Sequence, residues 1–252
     1  MALVVRVSQA AWRGNLARRI DKNERPDPTV PSTSVTTTAF IFDLDGVLID
    51  SGANHRRAWR AVLDELGAEP ADPEFWRLTI GRSSEEAVSL LLGREVGDAE
   101  AFHLARRKRE FYVELSRNGF EPVRGVIELV KELAREGVPR AIGTSASSYD
   151  VHQILRTAGL ARYFDVVVTA DDVARGKPDP EVYLVAASRL GTRPGSCLVF
   201  EDSIVGIEAA RHAGMRSIGV TTAHDAGELI AAGAETTIPD FVGLEWRSIV
   251  RP

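Results

Sequence analysis

Asp43 and Asp45 stand two apart, directly after the apolar run Ala39–Phe42, and Gly46 follows them. Two carboxylates so spaced turn into one cleft if the chain leaves extended geometry at that point. Gly46, having no Cβ, permits the bend. A second acidic pair, Glu201 and Asp202, follows another apolar run at 197–200. Four acids gathered in one cleft repel one another unless a cation sits among them. Oxygen donors without His or Cys suit Mg²⁺. Lys177 adds a fixed positive charge, and Ser145, beside Thr144, adds a hydroxyl donor. Carboxylates, Mg²⁺, a lysine and a hydroxyl together make a phosphoryl-transfer site. One carboxylate can then act as nucleophile and form an aspartyl-phosphate. A second can protonate the leaving oxygen and afterwards activate water.

The elements that must position these residues alternate along the chain. Apolar runs at 39–42, 138–143, 166–168, 197–200 and 217–220 predict strands, with a last short one near 237–238. Helical periodicity, punctuated by glycines, predicts helices at 53–66, 126–135, 150–158, 180–190 and 204–213. Strands alternating with helices argue an α/β fold with a parallel sheet covered on both faces. Ligands in such folds sit beyond the carboxyl ends of the strands. Asp43 and Asp45, Thr144 and Ser145, Lys177, and Glu201 and Asp202 all fall there. The helix-rich stretch 53–120 is too long for one crossover and predicts an inserted helical cap. The expected division is a tail at 1–38, a core at 39–52 and 121–252, and the cap at 53–120.

Composition narrows the classes. The chain has 252 residues, 44% hydrophobic and 27% charged, and a formal charge of −5. Those values suit a globular protein and make no electrostatic case for nucleic-acid binding. No apolar run reaches the length that spans a membrane. Cys197 is the sole cysteine, which excludes an intrachain disulfide and a cysteine-based zinc site. The expectation is a cytoplasmic protein, a monomer or weak dimer, with a small phosphorylated metabolite as partner. Residues 1–20 carry Arg6, Arg13, Arg18 and Arg19 and no acid, and 21–38 are rich in Pro, Ser and Thr. A disordered tail and an organelle transit peptide both fit that segment.

Four segments together carry a family resemblance. Asp43-Leu44-Asp45-Gly46-Val47-Leu48-Ile49-Asp50 resembles the first motif of the haloacid dehalogenase superfamily. Gly143-Thr144-Ser145 resembles the second, Gly176-Lys177-Pro178-Asp179-Pro180 the third, and Phe200-Glu201-Asp202-Ser203 the fourth. Their order and spacing match over about 39 to 240. The resemblance implies a Rossmann-like core with an α-helical cap. It implies that Asp43 is the nucleophile and a Mg²⁺ ligand. Asp45 would be the acid/base and would lend its backbone carbonyl to the metal. Asp202 would bind the metal, with Glu201 supporting it. Thr144, Ser145, Ala146 and Lys177 would hold the substrate and its transferring phosphoryl group. An aspartate at position 45 points away from the dehalogenases and toward phosphate enzymes.

The helical cap is similar to that of the group containing phosphoglycolate phosphatase, sugar-phosphate phosphatases and β-phosphoglucomutase. His55-Arg56-Arg57-Ala58-Trp59 resembles a His-x-x-Ala-Trp segment of the mutase, which makes His55 a candidate substrate contact. An ordinary cap helix with His55 on its polar face is the other reading. Where the mutase has Gly-x-Ser-Arg and Ser-Ala-Ser-Lys-Asn, this chain has Gly81-Arg82-Ser83-Ser84 and Ser145-Ala146-Ser147-Ser148-Tyr149. A mutase must grip a second phosphate, preferably with a bidentate arginine. Ser84, Ser148 and Tyr149 weaken that grip and favour hydrolysis of a small phosphomonoester. β-Phosphoglucomutase-type isomerisation is the alternative. Arg82 is a candidate anion contact. Arg106-Arg107-Lys108-Arg109 is expected to be a solvated helix face. Trp59, Phe75 and Trp76 are expected in the cap core, and Cys197 in inert packing. His103, His152, His212 and His224 show no ligand spacing.

Overall fold

The structure, a computed structural model, describes residues 39–117 and 119–250. The tail and transit-peptide readings of 1–38 lie outside the described residues. Six parallel strands form one sheet: β1 (Ala39–Phe42), β2 (Arg140–Gly143), β3 (Val166–Val168), β4 (Cys197–Glu201), β5 (Arg216–Val220) and β6 (Thr236–Ile238). Their spatial order is β3-β2-β1-β4-β5-β6. After β1 the chain adds β2 and β3 on one side, then returns past β1 to lay down β4, β5 and β6 on the other. The reversal falls between β1 and β4, where Phe42 is in register with Phe200. That is the place where an open parallel sheet forms its ligand crevice.

Every residue of β1 and β4 is buried, as strands covered on both faces require. Alternate side chains serve different faces. Phe40, Phe42, Leu198 and Phe200 point to one face, where the Phe42 and Phe200 rings stack at 5.0 Å. Helices α5 (Val126–Arg135) and α6 (Ser148–Thr157) pack there through Val126, Leu129, Val130 and Leu133, and through Val151, Ile154 and Leu155. Ala39, Ile41 and Val199 point to the other face. Small residues on α7 (Glu181–Leu190) and α8 (Ile204–His212), chiefly Ala186, Ala187, Ala209 and Ala210, let both helices approach the sheet closely. Two shorter helices follow, α9 (Ala226–Ala232) and α10 (Trp246–Ile249).

Between β1 and α5 lie α1 (Gly52–Leu66), α2 (Phe75–Thr79), α3 (Ser84–Leu92) and α4 (Asp98–Leu115). These four have their own apolar cluster, including Trp59, Leu63, Phe75, Val88, Leu91 and Leu104. Trp59 and Phe75 are therefore core residues, as expected. Trp76 packs at the edge of that cluster and also lines the cavity below the helices. Small boundary differences have local causes. Ser147 caps α6 by accepting from Asp150 N, so the helix begins at 148 rather than 150. Phe40 N bonds to Pro139 O, and β2 proper begins at Arg140. Among the described residues no helix is long and apolar enough to cross a membrane.

Candidate active site

A cavity of about 540 Å³ opens over the carboxyl ends of β1, β2 and β4, with the four helices of the insertion as its roof. Asp43 leaves the end of β1 with its backbone N–H bonded to Phe200 O at 3.0 Å. Gly46 then takes φ 73°, a conformation open to glycine at no steric cost. A Cβ at Gly46 would lie 1.8 Å from Asp202 Oδ2, so the turn also needs glycine for room. Thr222 locks it from β5's end by donating to Gly46 O at 2.6 Å.

The floor is a buried charge network. Lys177 Nζ stands 2.7 Å from Asp43 Oδ1 and 2.7 Å from Glu201 Oε1. Tyr183 OH also donates to Glu201 Oε1, while Ser203 N and Oγ donate to Oε2. Both lone pairs of each Glu201 oxygen are thus taken. Gly206 leaves space for that carboxylate, since a Cβ there would fall 1.7 Å from Glu201 Oε1. Burial opposes ionisation of Glu201, but Lys177 and the Ser203 donors outweigh it and hold the carboxyl below its usual range. Asp43 behaves oppositely. Burial, opposed by Lys177 and reinforced by Glu201, raises it to about 7. Burial and the neighbouring Glu201 and Asp43 raise Asp202 well above an ordinary aspartate.

Asp43, Glu201 and Asp202 each bring an oxygen within 4.8 Å of the others. Buried carboxylates this close raise one another's pKa, and a divalent cation relieves that repulsion. An all-oxygen donor set of this kind fits a hard divalent ion. Glu201 is committed to Lys177, Tyr183 and Ser203, whereas Asp43 is bonded through Oδ1 alone and Asp202 through Oδ2 alone, so each keeps an oxygen that can face a cation. The Asp45 side chain is not in this cluster.

Asp45 instead turns toward the roof. Its Oδ1 accepts from Ser51 Oγ at 2.6 Å, lies 3.0 Å from His55 Nε2, and accepts a longer bond from Tyr112 OH at 3.4 Å. His55 Nδ1 lies 2.8 Å from Lys108 Nζ. An ammonium can only donate, so Nδ1 accepts and Nε2 carries the hydrogen toward Asp45. Burial and the Lys108 charge both lower the pKa of His55, consistent with that neutral ring. Burial likewise lowers Lys108 to about 8. Burial works against ionisation of Asp45, but His55, Ser51 and Lys108 outweigh it and hold the carboxyl near about 2.

Lys108 corrects an expectation. The run 106–109 is not uniformly a solvated face: Lys108 is buried, with its ammonium over the rings of Trp59 (5.5 Å) and Tyr112 (5.0 Å). The missed signal is periodicity, since Ala101, Leu104, Ala105, Lys108 and Tyr112 are the buried residues of α4. His55 also settles: it faces Asp45 and stacks on Tyr112 at 4.2 Å, rather than lying on an idle polar face. His224, which has no ligand spacing in sequence, is buried with Nδ1 3.0 Å from Asp202 O. Cys197 is buried, and burial pushes its thiol up to about 11, in keeping with inert packing.

The remaining candidates line the cavity in different ways. Thr144 is buried and its Oγ1 accepts from Ala146 N at 3.1 Å. Ser145 Oγ donates to Gly81 O at 2.8 Å, a contact between the loop after β2 and the roof. Arg82, half-buried, lines the cavity, as do the exposed Arg56, stacked over Trp76 at 4.7 Å, and Arg106. Ser84 Oγ accepts from Lys108 Nζ at 3.4 Å, and Ser148 donates twice to Asp171.

Comparison with known proteins agrees with this geometry. A family model for haloacid dehalogenase-like hydrolases matches residues 40–220. The validoxylamine A 7'-phosphate phosphatase of Streptomyces hygroscopicus subsp. limoneus is 36% identical over 216 residues, covering 83% of this chain and 96% of that protein. The fructose-1-phosphate phosphatase YqaB of Escherichia coli (strain K12) is 36% identical over 181 residues, 72% of this chain and 95% of its own. A crystal structure of β-phosphoglucomutase from Clostridium difficile superposes with a TM-score of 0.74 at 26% identity, over 84% of this chain and 95% of the other. A fold with the sheet reversal at β1, four motif segments at its strand ends and a family match across most of the chain lead to one conclusion: the chain belongs to the haloacid dehalogenase-like hydrolases.

Proposed function

We propose that this protein is a Mg²⁺-dependent phosphatase of a small phosphomonoester, of the sugar-phosphate class, working through a phosphoenzyme on Asp43. The observation that carries the reading is the pairing of two unlike carboxylates past the end of β1, one on the cavity floor and one turned to the roof. Asp43 is held by Lys177 at 2.7 Å beside Asp202, and Asp45 is held apart from them by Ser51 and His55. In this reading Asp43, Asp202 and the Asp45 backbone carbonyl hold the metal, which when bound supplies positive charge for the phosphoryl oxygens. Glu201 supports the set by fixing Lys177.

An Asp43 oxygen attacks phosphorus, and the bond from phosphorus to the ester oxygen breaks. The leaving oxygen takes a proton from Asp45. An arriving phosphate dianion places negative charge beside Asp45 and so favours its protonation. His55 and Lys108 form the hydrogen-bonded chain nearest to that proton. Water then attacks the phosphoryl group on Asp43, Asp45 takes the water's proton, and inorganic phosphate and free Asp43 result. Lys177 offsets charge on the transferring group, and Thr144, Ser145 and Ala146 form the rim that orients it. Residues 53–120 act as a cap that excludes bulk water during the first step.

Hydrolysis is preferred over the mutase reading because Ser84, Ser148 and Tyr149 offer no cation to a second phosphate. The test is phosphate release with Mg²⁺ over a panel of hexose, pentose and two-carbon phosphates. In parallel, β-glucose 1-phosphate with a bisphosphate primer is followed for glucose 6-phosphate. Metal-dependent release supports the proposal. Fast glucose 6-phosphate formation with little free phosphate would replace it by the mutase.

A further inference from the structure

The roof sends two adjacent cations from α4 toward the cavity, and they have different fates. Lys108 joins His55 and Asp45. Arg109 crosses to the core, where its Nη2 and Nε lie 2.9 and 3.0 Å from Asp150 Oδ1. The other carboxylate oxygen, Oδ2, accepts from Ser147 Oγ at 2.8 Å. The Arg109 guanidinium also lies over the Tyr149 ring at 4.9 Å. Asp150 sits in the first turn of α6, where negative charge is favoured. Arg109 and Asp150 line the same cavity as Asp43 and Asp45. His55, Lys108 and Tyr112, the groups that surround Asp45, line that cavity too.

An arginine reaching into a phosphate-cleaving cavity is the natural fork for a second phosphate. Here the Nε–Nη2 edge of that fork is already taken by one oxygen of the chain's own carboxylate. Two consequences follow from charge alone. The cap gains its cross-link to the core without help from the substrate, and a second anion at this wall meets Asp150 instead of a free cation. We propose that the Arg109–Asp150 pair is the specificity element of the site, closing the cap internally and selecting phosphomonoesters with an uncharged leaving group over bisphosphates. The inference rests on the phosphatase reading and adds the substrate class to it. Arg56, Arg82 and Arg106, which line the cavity with no carboxylate partner among the described residues, are the rival carriers of a second-anion grip.

The experiment reads binding, in the presence of Mg²⁺, on the full chain carrying Asp43→Asn so that no turnover intervenes. Calorimetry compares fructose 1-phosphate with fructose 1,6-bisphosphate, and glucose 1-phosphate with glucose 1,6-bisphosphate. The expected result is at least tenfold tighter binding of a monophosphate than of its bisphosphate. Adding Asp150→Asn, which keeps an acceptor for Ser147, is expected to tighten the bisphosphate tenfold or more and to change the monophosphate less than threefold. Adding Arg109→Met as well should remove that gain. An unchanged ratio in the Asp150 variant overturns the inference. So does a gain that survives Arg109→Met, which would assign the grip to Arg56, Arg82 or Arg106, or failure of both pairs to bind. Failure of the phosphatase reading is seen separately, as absence of phosphate release by the unsubstituted chain while the binding ratio is still measured.

Discussion

The floor and the roof of the cavity handle charge differently. On the floor, Lys177, Asp43, Glu201 and Asp202 are all but inaccessible, and every Glu201 acceptor position is filled from within the core. Their positions are over-determined by strand ends, Gly46 and Gly206. On the roof, Lys108 is equally buried, but Arg56 and Arg106 are exposed and Arg109 is two-fifths exposed. Buried, fully paired charges suit chemistry, because a low-dielectric site strengthens each interaction and needs no rearrangement at the moment of reaction. Exposed cations on helices suit discrimination, since each contributes little to the fold and can be exchanged. In the proposed reading, phosphoryl transfer then belongs to the floor together with the buried Asp45–His55–Lys108 chain, and the choice of leaving group to the exposed cations of the roof.

Several substitutions would break or sharpen that contrast. The largest effect is expected from Asp43→Asn, which keeps shape and removes the nucleophile: turnover should fall by about 10⁴-fold or more, with the unfolding midpoint near that of the parent. Persistent steady-state phosphate release by that variant would remove Asp43 from its role. Next is Lys177→Met, which strips the shared cation from two buried carboxylates. Urea denaturation should show a loss of about 3–5 kcal/mol. A loss under ~1 kcal/mol would mean that protonation of Asp43 compensates fully.

Lys108→Met tests the roof with opposite signs for activity and stability. Turnover should drop by about 10²-fold, as for loss of a group in a proton path. Lys108 has a folded pKa of about 8 against an ordinary 10.5, so the unfolded chain binds that proton more tightly. Keeping the ammonium buried at pH 7 thus costs the fold up to about 3 kcal/mol, a cost that fades as pH rises from 8 to 10.5. The variant should be more stable than the parent at pH 7 by about 1–3 kcal/mol, with the difference closing above pH 8. Activity of the parent should decline as pH rises through about 8, and the variant's profile should lack that limb. A variant no more stable at neutral pH would show that the His55 contact repays the burial.

Two smaller effects complete the series. Mg²⁺ at 100 times its Kd should stabilise the parent by about 2.7 kcal/mol in thermal melts, and Asp202→Asn should abolish the shift. An undiminished shift in that variant would move the cation elsewhere. Arg106→Gln, at the exposed rim, should change KM for a sugar monophosphate by less than about threefold, in line with a solvated charge. A tenfold rise would bring the rim into substrate binding and weaken the division between floor and roof.

How legible all this was depends on distance along the chain. The apolar runs at β1, β2 and β4 end in Asp43, Thr144 and Glu201-Asp202, and those positions are local patterns. Short buried strands that stop at polar residues can be seen in a window of five or six residues. So could the starts and stops of α1, α5, α6, α7 and α8, to within two residues, whereas α2, α3 and α4 were legible only as one helix-rich stretch. The roof was harder. Ser51, His55 and Tyr112 converge on Asp45 from 6, 10 and 67 positions away. Lys108 hid inside a run of four basic residues, and only the apolar period of α4 marks which of them turns inward.

The amino-acid order thus settled the α/β alternation, the side of the sheet on which the polar residues gather, and the acids and lysine of the floor. Those properties are written in strand length, in the apolar pattern of each short run and in the positive φ that Gly46 permits, all of which show in a few consecutive residues. Tertiary structure alone decided that Glu201 would be spent on Lys177, Tyr183 and Ser203, that Asp45 would lean away from the cluster toward His55, and that Arg109 would meet Asp150. Each of these joins side chains from separate elements. Which carboxylate keeps its proton, and which cation stays free, depends on burial and on distances of about 3 Å that exist only once helix and sheet have packed.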